Sequence, residues 1–393
     1  MVSTMGTRSA QAGLSIVELM VAITIGLLLL AGLASMFGSS SRSQNELRRA
    51  AEQIENGRYA MDTMTQDLQL AGYFGQNRVT STPPTSMPDP CTLTIANMTT
   101  AVAIGVQGYS SGGLSSRPAL PASCATWLPN ANLSKGSDVV IVYRTNTSYL
   151  PIGTATTAGQ LYVQTNPATF TVQNGGGTTS CTSGADGSAS SITRRCLTPN
   201  TLPDEICSSL CPGGSPVGYI RQLVVHIYFV APCNVPTGGG SICTGTTDDG
   251  GTRIPTLKRL ELTASGGAAT FQITSIAEGV EFMKVEYGID DTPSAVNTQT
   301  GLVGDGATDR YVLAPALSDL TNAVTVRVDL LVRNPEPSIG YTDSKTYNLG
   351  VNPALPTSPA VTVTSVNYAP TYRRHVYSSE IRLVNLSSRK ENP

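Results

Sequence analysis

The apolar positions divide the chain into an apolar block, an amphipathic block and a long tract of short alternating segments. Over residues 19–37 there is no charge. Nineteen such residues, at about 1.5 Å each, give roughly 28 Å of helix, enough to cross a hydrocarbon core of about 30 Å. Residues 38–72 then place apolar or small side chains at heptad spacing. Leu47, Ile54, Met61 and Leu68 recur every seven positions, with Ala50, Gly57, Met64 and Ala71 three residues behind. This stripe predicts that the helix continues to Ala71, with Arg48, Glu52, Glu55, Arg58, Asp62 and Asp67 on its other faces. The same spacing would suit a separate coiled coil. The small residues Ala50, Gly57 and Ala71 favour docking on a sheet of the same chain, which they allow to approach closely. Gly72 and Gly75 mark the end, because glycine is favoured just past a helix C-terminus. A helix over residues 14–71 would measure roughly 87 Å.

Beyond the helix the pattern shifts to period two. Residues 76–137, rich in Pro, Thr, Ser and Gly, read as a long irregular insertion holding Cys91, Cys124 and Trp127, the last as the anchor of a small cluster. Residues 138–144 are apolar and β-branched and predict a strand, with weaker ones at 161–163 and 170–172. Residues 174–218 form a loop region containing four cysteines. The clearest strand is 219–230. Leu223, Val225, Ile227 and Phe229 share one face; Gln222, Val224, His226 and Tyr228 share the other, which places His226 partly in solvent. Residues 256–263 are expected to pair with it across the segment between Cys233 and Cys243. Ile276, Val280 and Met283 have helical spacing and predict a short helix leading into a strand through Met283, Val285 and Tyr287. Residues 323–332 alternate, with Val326, Val328, Leu330 and Val332 inward and Thr325, Arg327 and Asp329 outward. Residues 372–384 give a last strand. The expected class is α+β: a long N-terminal helix packed on a large antiparallel β-sheet head with long loops.

Composition adjusts this picture in two ways. Charged residues are 13% of the 393 and the net charge is −2, so no polybasic surface points to nucleic acid. With 38 Gly and 25 Pro, the head reads as loop-rich and extracytoplasmic. All eight cysteines follow the apolar block, and an even count in a translocated region points to disulfides. Eight cysteines allow 105 pairings. Cys233 and Cys243 flank a Gly-rich loop and suit a local bridge; Cys207 and Cys211 are close enough to pair or to go elsewhere. Zinc would need compatible Cys or His spacing, but His226 sits in a strand pattern and His375 lies far along the chain.

Catalytic chemistry finds little support. Only two histidines exist, and no Gly-x-Ser-x-Gly elbow, P-loop or His-Glu-x-x-His helix is present. The segment 290–309 gathers Asp290, Asp291, Asp305 and Asp309, which would suit calcium in a flexible loop, but the spacing lacks the terminal Glu of an EF-hand. Solvated loop acids are the expectation. No enzyme activity and no cofactor are expected.

The entry to the apolar block is more informative. It reads Gly13-Leu14-Ser15-Ile16-Val17-Glu18, preceded by a short leader with Arg8. Arg8 orients that end to the cytoplasm by the positive-inside rule, although Arg42, Arg48 and Arg49 lie on the far side. An ordinary secretory signal cut before Ser35 would also fit the small residues near 32–34. The length of the apolar run and the continuing helix argue against it. Glu18 stands at the mouth of the block, where an intramembrane charge costs at least ~2.5 kcal/mol. It is either an anchor snorkelling to the headgroups or a charge that meets an opposite charge.

Gly13, Leu14 and Glu18 resemble the processing site of type IV prepilins. The resemblance implies cleavage between Gly13 and Leu14 by a prepilin peptidase, methylation of the new N-terminus, and pairing of Glu18 with the N-terminal ammonium of a neighbouring subunit. Leu14 departs from the more usual Phe or Met. The stretch Glu55-Asn56-Gly57-Arg58-Tyr59-Ala60, the exit Asp67-Leu68-Gln69-Leu70-Ala71-Gly72-Tyr73-Phe74-Gly75, and segments at 276–288, 309–312, 326–333 and 379–383 are similar to the PilW family of minor pilins. They are more loosely similar to the J-type minor pseudopilins of type II secretion. The implied organisation is a leader at 1–13, a transmembrane and filament-core half-helix at 14–37, an amphipathic half at 38–75, and a β-rich extracytoplasmic head at 76–393. The resemblance further implies a type IV pilin fold. It implies residence in the inner membrane before assembly and in the pilus afterwards, near its tip. The implied partners are other minor pilins, the major pilin, the inner-membrane assembly platform and a tip adhesin, in a complex that primes assembly and supports twitching motility and adhesion.

Overall fold

The computed structural model describes residues 15–75, 84–151, 154–165, 170–178, 180–182, 193–195, 219–291, 304–352, 355–364 and 366–390. Gly13, Leu14, Arg8, Cys207 and Cys211 lie outside them. Two compact units are present, residues 1–51 and 52–393. Helix α1 (Ile16–Gln69) is the first element and runs through both stretches of sequence. It ends two residues before the expected Ala71. Gly72 and Gly75 both adopt φ of 70°, the left-handed conformation that makes glycine the favoured residue past a helix end.

The second unit is α+β. Its larger sheet has a central order built on strands β1 (Val106–Tyr109), β2 (Val139–Thr145), β5 (Tyr219–Ala231), β6 (Thr256–Ser265) and β7 (Ala268–Glu278). Strands β3 (Leu161–Thr165) and β4 (Phe170–Asn174) join through the N-terminal end of β5. All these pairings are antiparallel. β5 and β6 pair as the sequence predicts, with Thr256 opposite Ala231 and Glu261 opposite His226. A four-stranded sheet follows in the order β9–β8–β10–β13, from β8 (Val280–Ile289), β9 (Arg310–Val312), β10 (Ala323–Arg333) and β13 (Arg374–Arg382). Strands β11 (Tyr347–Asn352) and β12 (Leu355–Val363) make a separate hairpin. That hairpin buries Tyr347, Leu349 and Val363 against Phe282 and Leu331 in a small second core.

Three expectations are corrected. The helix expected near Ile276 is instead a strand, a bend and a strand. Gly279, at φ 84°, turns the chain between β7 and β8, and a side chain there would strike the carbonyl of Arg333. Residues 76–137 are not wholly irregular, because they hold α2 (Ile95–Ile104) and edge strand β1. Thr94 caps α2 by accepting the Asn97 N–H, and Gly105 closes it at φ 71°. A disulfide joins Cys91 to Cys124 beside this helix, and Trp127 meets Phe271 edge-on at 5.3 Å. Finally, β5 is buried on both faces beyond Val225, so His226 is not a solvent-side residue.

One buried ion pair ties the two sheets together. Lys284 Nζ donates to Asp138 Oδ1 at 2.7 Å, and Asp138 also accepts the N–H groups of Ser111 and Val285. Both side chains are 2% exposed. Burying two charges is repaid only when hydrogen bonds satisfy them this fully.

Candidate functional site

The first unit presents α1 as a bare apolar surface. Ile16, Val17, Leu19, Met20, Leu27, Leu28, Leu33 and Phe37 are all more than half exposed. The helix is long and apolar enough to cross a membrane. Its one hydroxyl in this stretch before Ser35, on Thr24, donates back to the Val21 carbonyl at 2.9 Å, which removes the cost of an unpaired polar group in lipid. Glu18 is exposed in the first turn. A negative charge there complements the positive end of the helix dipole. The charge-free run that follows continues to Arg42, after which the surface becomes polar, with Arg49 and Glu46 paired at 3.3 Å.

The second unit grips residues 53–72 of the helix. Ala60, Met61, Met64 and Leu68 enter the main core. The buried face is therefore Gln53, Gly57, Ala60, Met61, Met64, Asp67 and Leu68; Leu47 and Ile54 of the predicted stripe stay at least half exposed. A straight helix of 3.6 residues per turn drifts off a seven-residue repeat, and the head follows the drift. Gly57 sits against the ring of Tyr377, with no room for a Cβ. Gln53 donates to the carbonyls of Val332 at 2.7 Å and Arg373 at 3.2 Å.

Asp67 is the polar centre of this seat, on the buried face of α1 and not on the outer face that the heptad pattern predicts. Its carboxylate is 4% exposed. Oδ1 accepts from Arg144 Nε at 2.6 Å, while Oδ2 meets His226 Nδ1 at 2.6 Å and accepts from Tyr228 Oη at 2.9 Å. Burial alone would raise its pKa. The hydrogen bond and charge of His226, then Arg144, outweigh that and hold the carboxyl at about 2. Burial followed by the Asp67 charge pushes the Tyr228 phenol far upward. The signal available in the sequence was the polar pair His226 and Tyr228 within a strand otherwise fit for burial on both sides.

The helix exit is capped from the other end of the chain. Short helix α3 (Val384–Ser387) follows β13. Asn385 Nδ2 donates to the carbonyls of Gln69 and Ala71, each at 3.3 Å, and Arg389 donates to that of Gly72 at 2.9 Å. These are helix-end carbonyls that lack intrahelical donors. The Gly72 N–H and the Tyr73 carbonyl bond to Tyr143 and Thr145, continuing the chain along β2.

Metal chemistry finds no seat among the described residues. Asp89 lies close to Cys91 and Cys124, and Asp248 to Cys233 and Cys243, but each cysteine pair is a disulfide. Asp248 accepts the N–H groups of Thr237, Thr244 and Gly245, which shape the loop. Of the acids in the 290–309 segment, Asp290 is buried, a correction to the solvated reading. Asp291 pairs with Arg310, and Asp309 accepts the Asp291 N–H. Residues 292–303 lie outside the described residues.

Comparison with known proteins places both ends of this arrangement. A prokaryotic N-terminal methylation motif matches residues 8–34, spanning Gly13, Leu14 and Glu18. The family of type IV pilus-assembly protein W matches residues 244–385, which run from before β6 to α3. No curated protein matches the chain. Among solved structures, a type IV-like pilin from Thermus thermophilus is similar at 13% identity and a TM-score of 0.20, covering 60% of this chain and 86% of its own. A methylation motif on a helix long and apolar enough to cross a membrane, followed by a region similar to the pilus-assembly W family over residues 244–385, gives this chain the marks of a PilW-type prepilin.

Proposed function

We propose that the chain is a non-catalytic minor pilin that joins other minor pilins in a complex priming pilus assembly, at or near the tip. One observation carries this reading. The chain joins a unit spanning residues 52–393 to an N-terminal helix whose membrane-length surface is apolar apart from the single carboxylate of Glu18. So large a head is hard to repeat along a shaft but is accommodated at an end. In this reading a prepilin peptidase cuts between Gly13 and Leu14. Glu18 then meets the methylated ammonium of a neighbouring subunit, the major pilin or another minor pilin. Pairing compensates the carboxylate only at one axial offset, so the charge sets the stagger. Assembly supports twitching motility and adhesion, with the assembly platform and a tip adhesin as partners.

The test is a Glu18→Ala chain expressed in the deletion strain. Cleavage, read by mass spectrometry at Leu14, should persist, while incorporation into sheared pili and surface piliation fall sharply. Normal piliation by this variant would sink the registration role. Immunogold label spaced evenly along shafts would sink the tip position.

A further inference from the structure

The segment that caps α1 also carries a buried amine pressed against a side-chain amide. Lys390 is 3% exposed. Its Nζ donates to Asn322 Oδ1 at 2.7 Å and to the Asp290 carbonyl at 3.0 Å, and lies 3.8 Å from Asp290 Oδ2. The Asp290 carboxylate is fully buried and accepts the Gly306 N–H at 2.8 Å. Gly304 closes over this pair so tightly that a Cβ would overlap both the carboxylate and the lysine chain. The adjoining residues Ile289, Leu320 and Ala323 belong to the core. The Asn322 Nδ2 faces outward, donating to the carbonyl of the exposed Ser318 at 3.2 Å.

A primary amine, a carboxamide and a carboxylate held together away from water are the reactants of a transamidation. We propose that Lys390 and Asn322 join in an intramolecular amide cross-link, with Asp290 relaying the proton. Neutral Nζ attacks Cγ of Asn322 and forms the new C–N bond. The Nζ proton passes to Asp290 Oδ2 and from there to the departing Nδ2. The Cγ–Nδ2 bond breaks and ammonia leaves on the Ser318 side. Amine plus carboxamide gives substituted amide plus ammonia, with no oxidant and no co-reactant. The 3.8 Å approach of Asp290 shortens as the amine turns toward Cγ, as catalytic contacts commonly do on the way to reaction. Burial pushes the Lys390 amine down, against the pull of Asp290, Asp291, Asp309 and Asp305. A desolvated lysine is the more readily neutral nucleophile. The bond ties the turn ahead of β10 to the segment whose Asn385 and Arg389 hold the end of α1. The segment that holds the helix end by hydrogen bonds would then itself be fixed covalently to the head.

The measurement is peptide mapping and intact mass of the full-length purified chain with disulfides reduced. The expected result is one ammonia lost relative to the sequence, and a branched peptide joining residues 390 and 322. Lys390→Arg, which keeps the charge, should restore the missing ammonia, as should Asn322→Ser. Asp290→Asn should leave the bond largely unformed. Recovery of linear peptides with a free Lys390 amine from the unmodified chain overturns the proposal, whether Asn322 is intact or hydrolysed. That readout needs no variant to fold and is independent of any role in the pilus.

Discussion

His226 Nδ1 lies 2.6 Å from Asp67 Oδ2, so a strand in the middle of the head sheet holds the last turn of the N-terminal helix by a buried hydrogen bond. Arg144 and Tyr228 complete the shell around the same carboxylate. Asp67→Asn would leave Arg144 and His226 facing a neutral amide. Breaking one partner of such a buried cluster costs about 3–5 kcal/mol. Denaturant unfolding should show a loss of that order, and a change below about 1 kcal/mol would class the cluster with surface pairs.

Acid should weaken the same contact in a defined window. The Asp67 carboxyl is held at about 2, below its ordinary 3.8. A depressed carboxyl stabilises the fold fully above its unfolded pKa and loses that contribution as pH falls through the folded value. The difference corresponds to roughly 2.5 kcal/mol, lost between about pH 4 and pH 2. Unfolding free energy measured down that range should fall less steeply in Asp67→Asn. Equal slopes would remove Asp67 from the acid response.

Gly57 offers a test whose sign decides. On helix propensity alone, Gly57→Ala should stabilise by about 1 kcal/mol. The ring of Tyr377 fills the space a methyl would need, and overpacking typically costs 1–3 kcal/mol. The expected outcome is net destabilisation in thermal unfolding, relieved when Gly57→Ala is combined with Tyr377→Leu. Additive effects of the two changes would mean the ring simply moves aside.

The Cys233–Cys243 disulfide closes a short loop, its ends ten positions apart in sequence. Replacing both cysteines by serine should cost about 2–3 kcal/mol, chiefly through the unfolded chain. The Asp248 and Asp249 carboxylates still accept N–H groups on both sides of the loop. Thermal unfolding should therefore shift while the head stays folded, with new proteolytic cuts confined to residues 234–242. Global unfolding at ambient temperature would show that the bridge does more than close its loop.

Much of this architecture was legible in the pattern of side chains. The apolar run, the exit at Gly72 and the paired strands β5 and β6 follow from periodicities that depend on local geometry. The misreadings share a different cause. Asp67 and His226 look like solvent residues until each is known to face the other, a contact separated by 159 positions. The bend at Gly279 mimics helical spacing because one glycine reverses the face of the strand. Helix α2 was hidden by a flanking tract rich in Pro and Ser, although Thr94 and Gly105 supply both of its caps. Nothing in the local sequence marks Lys390, since its burial depends on Asp290 and Asn322 from two other turns.

The cap on α1 also has a temporal meaning. Asn385 and Arg389 reach the carbonyls of residues 69–72 across more than 310 positions of chain, a loop closure that local helix formation cannot bring forward. During synthesis from the N-terminus, α1 can form and enter the bilayer long before its far end is secured. The junction closes only once residue 389 has been made. A chain interrupted before residue 385 would leave this helix end open, so a closed junction reports that the head has been made through its last described strand.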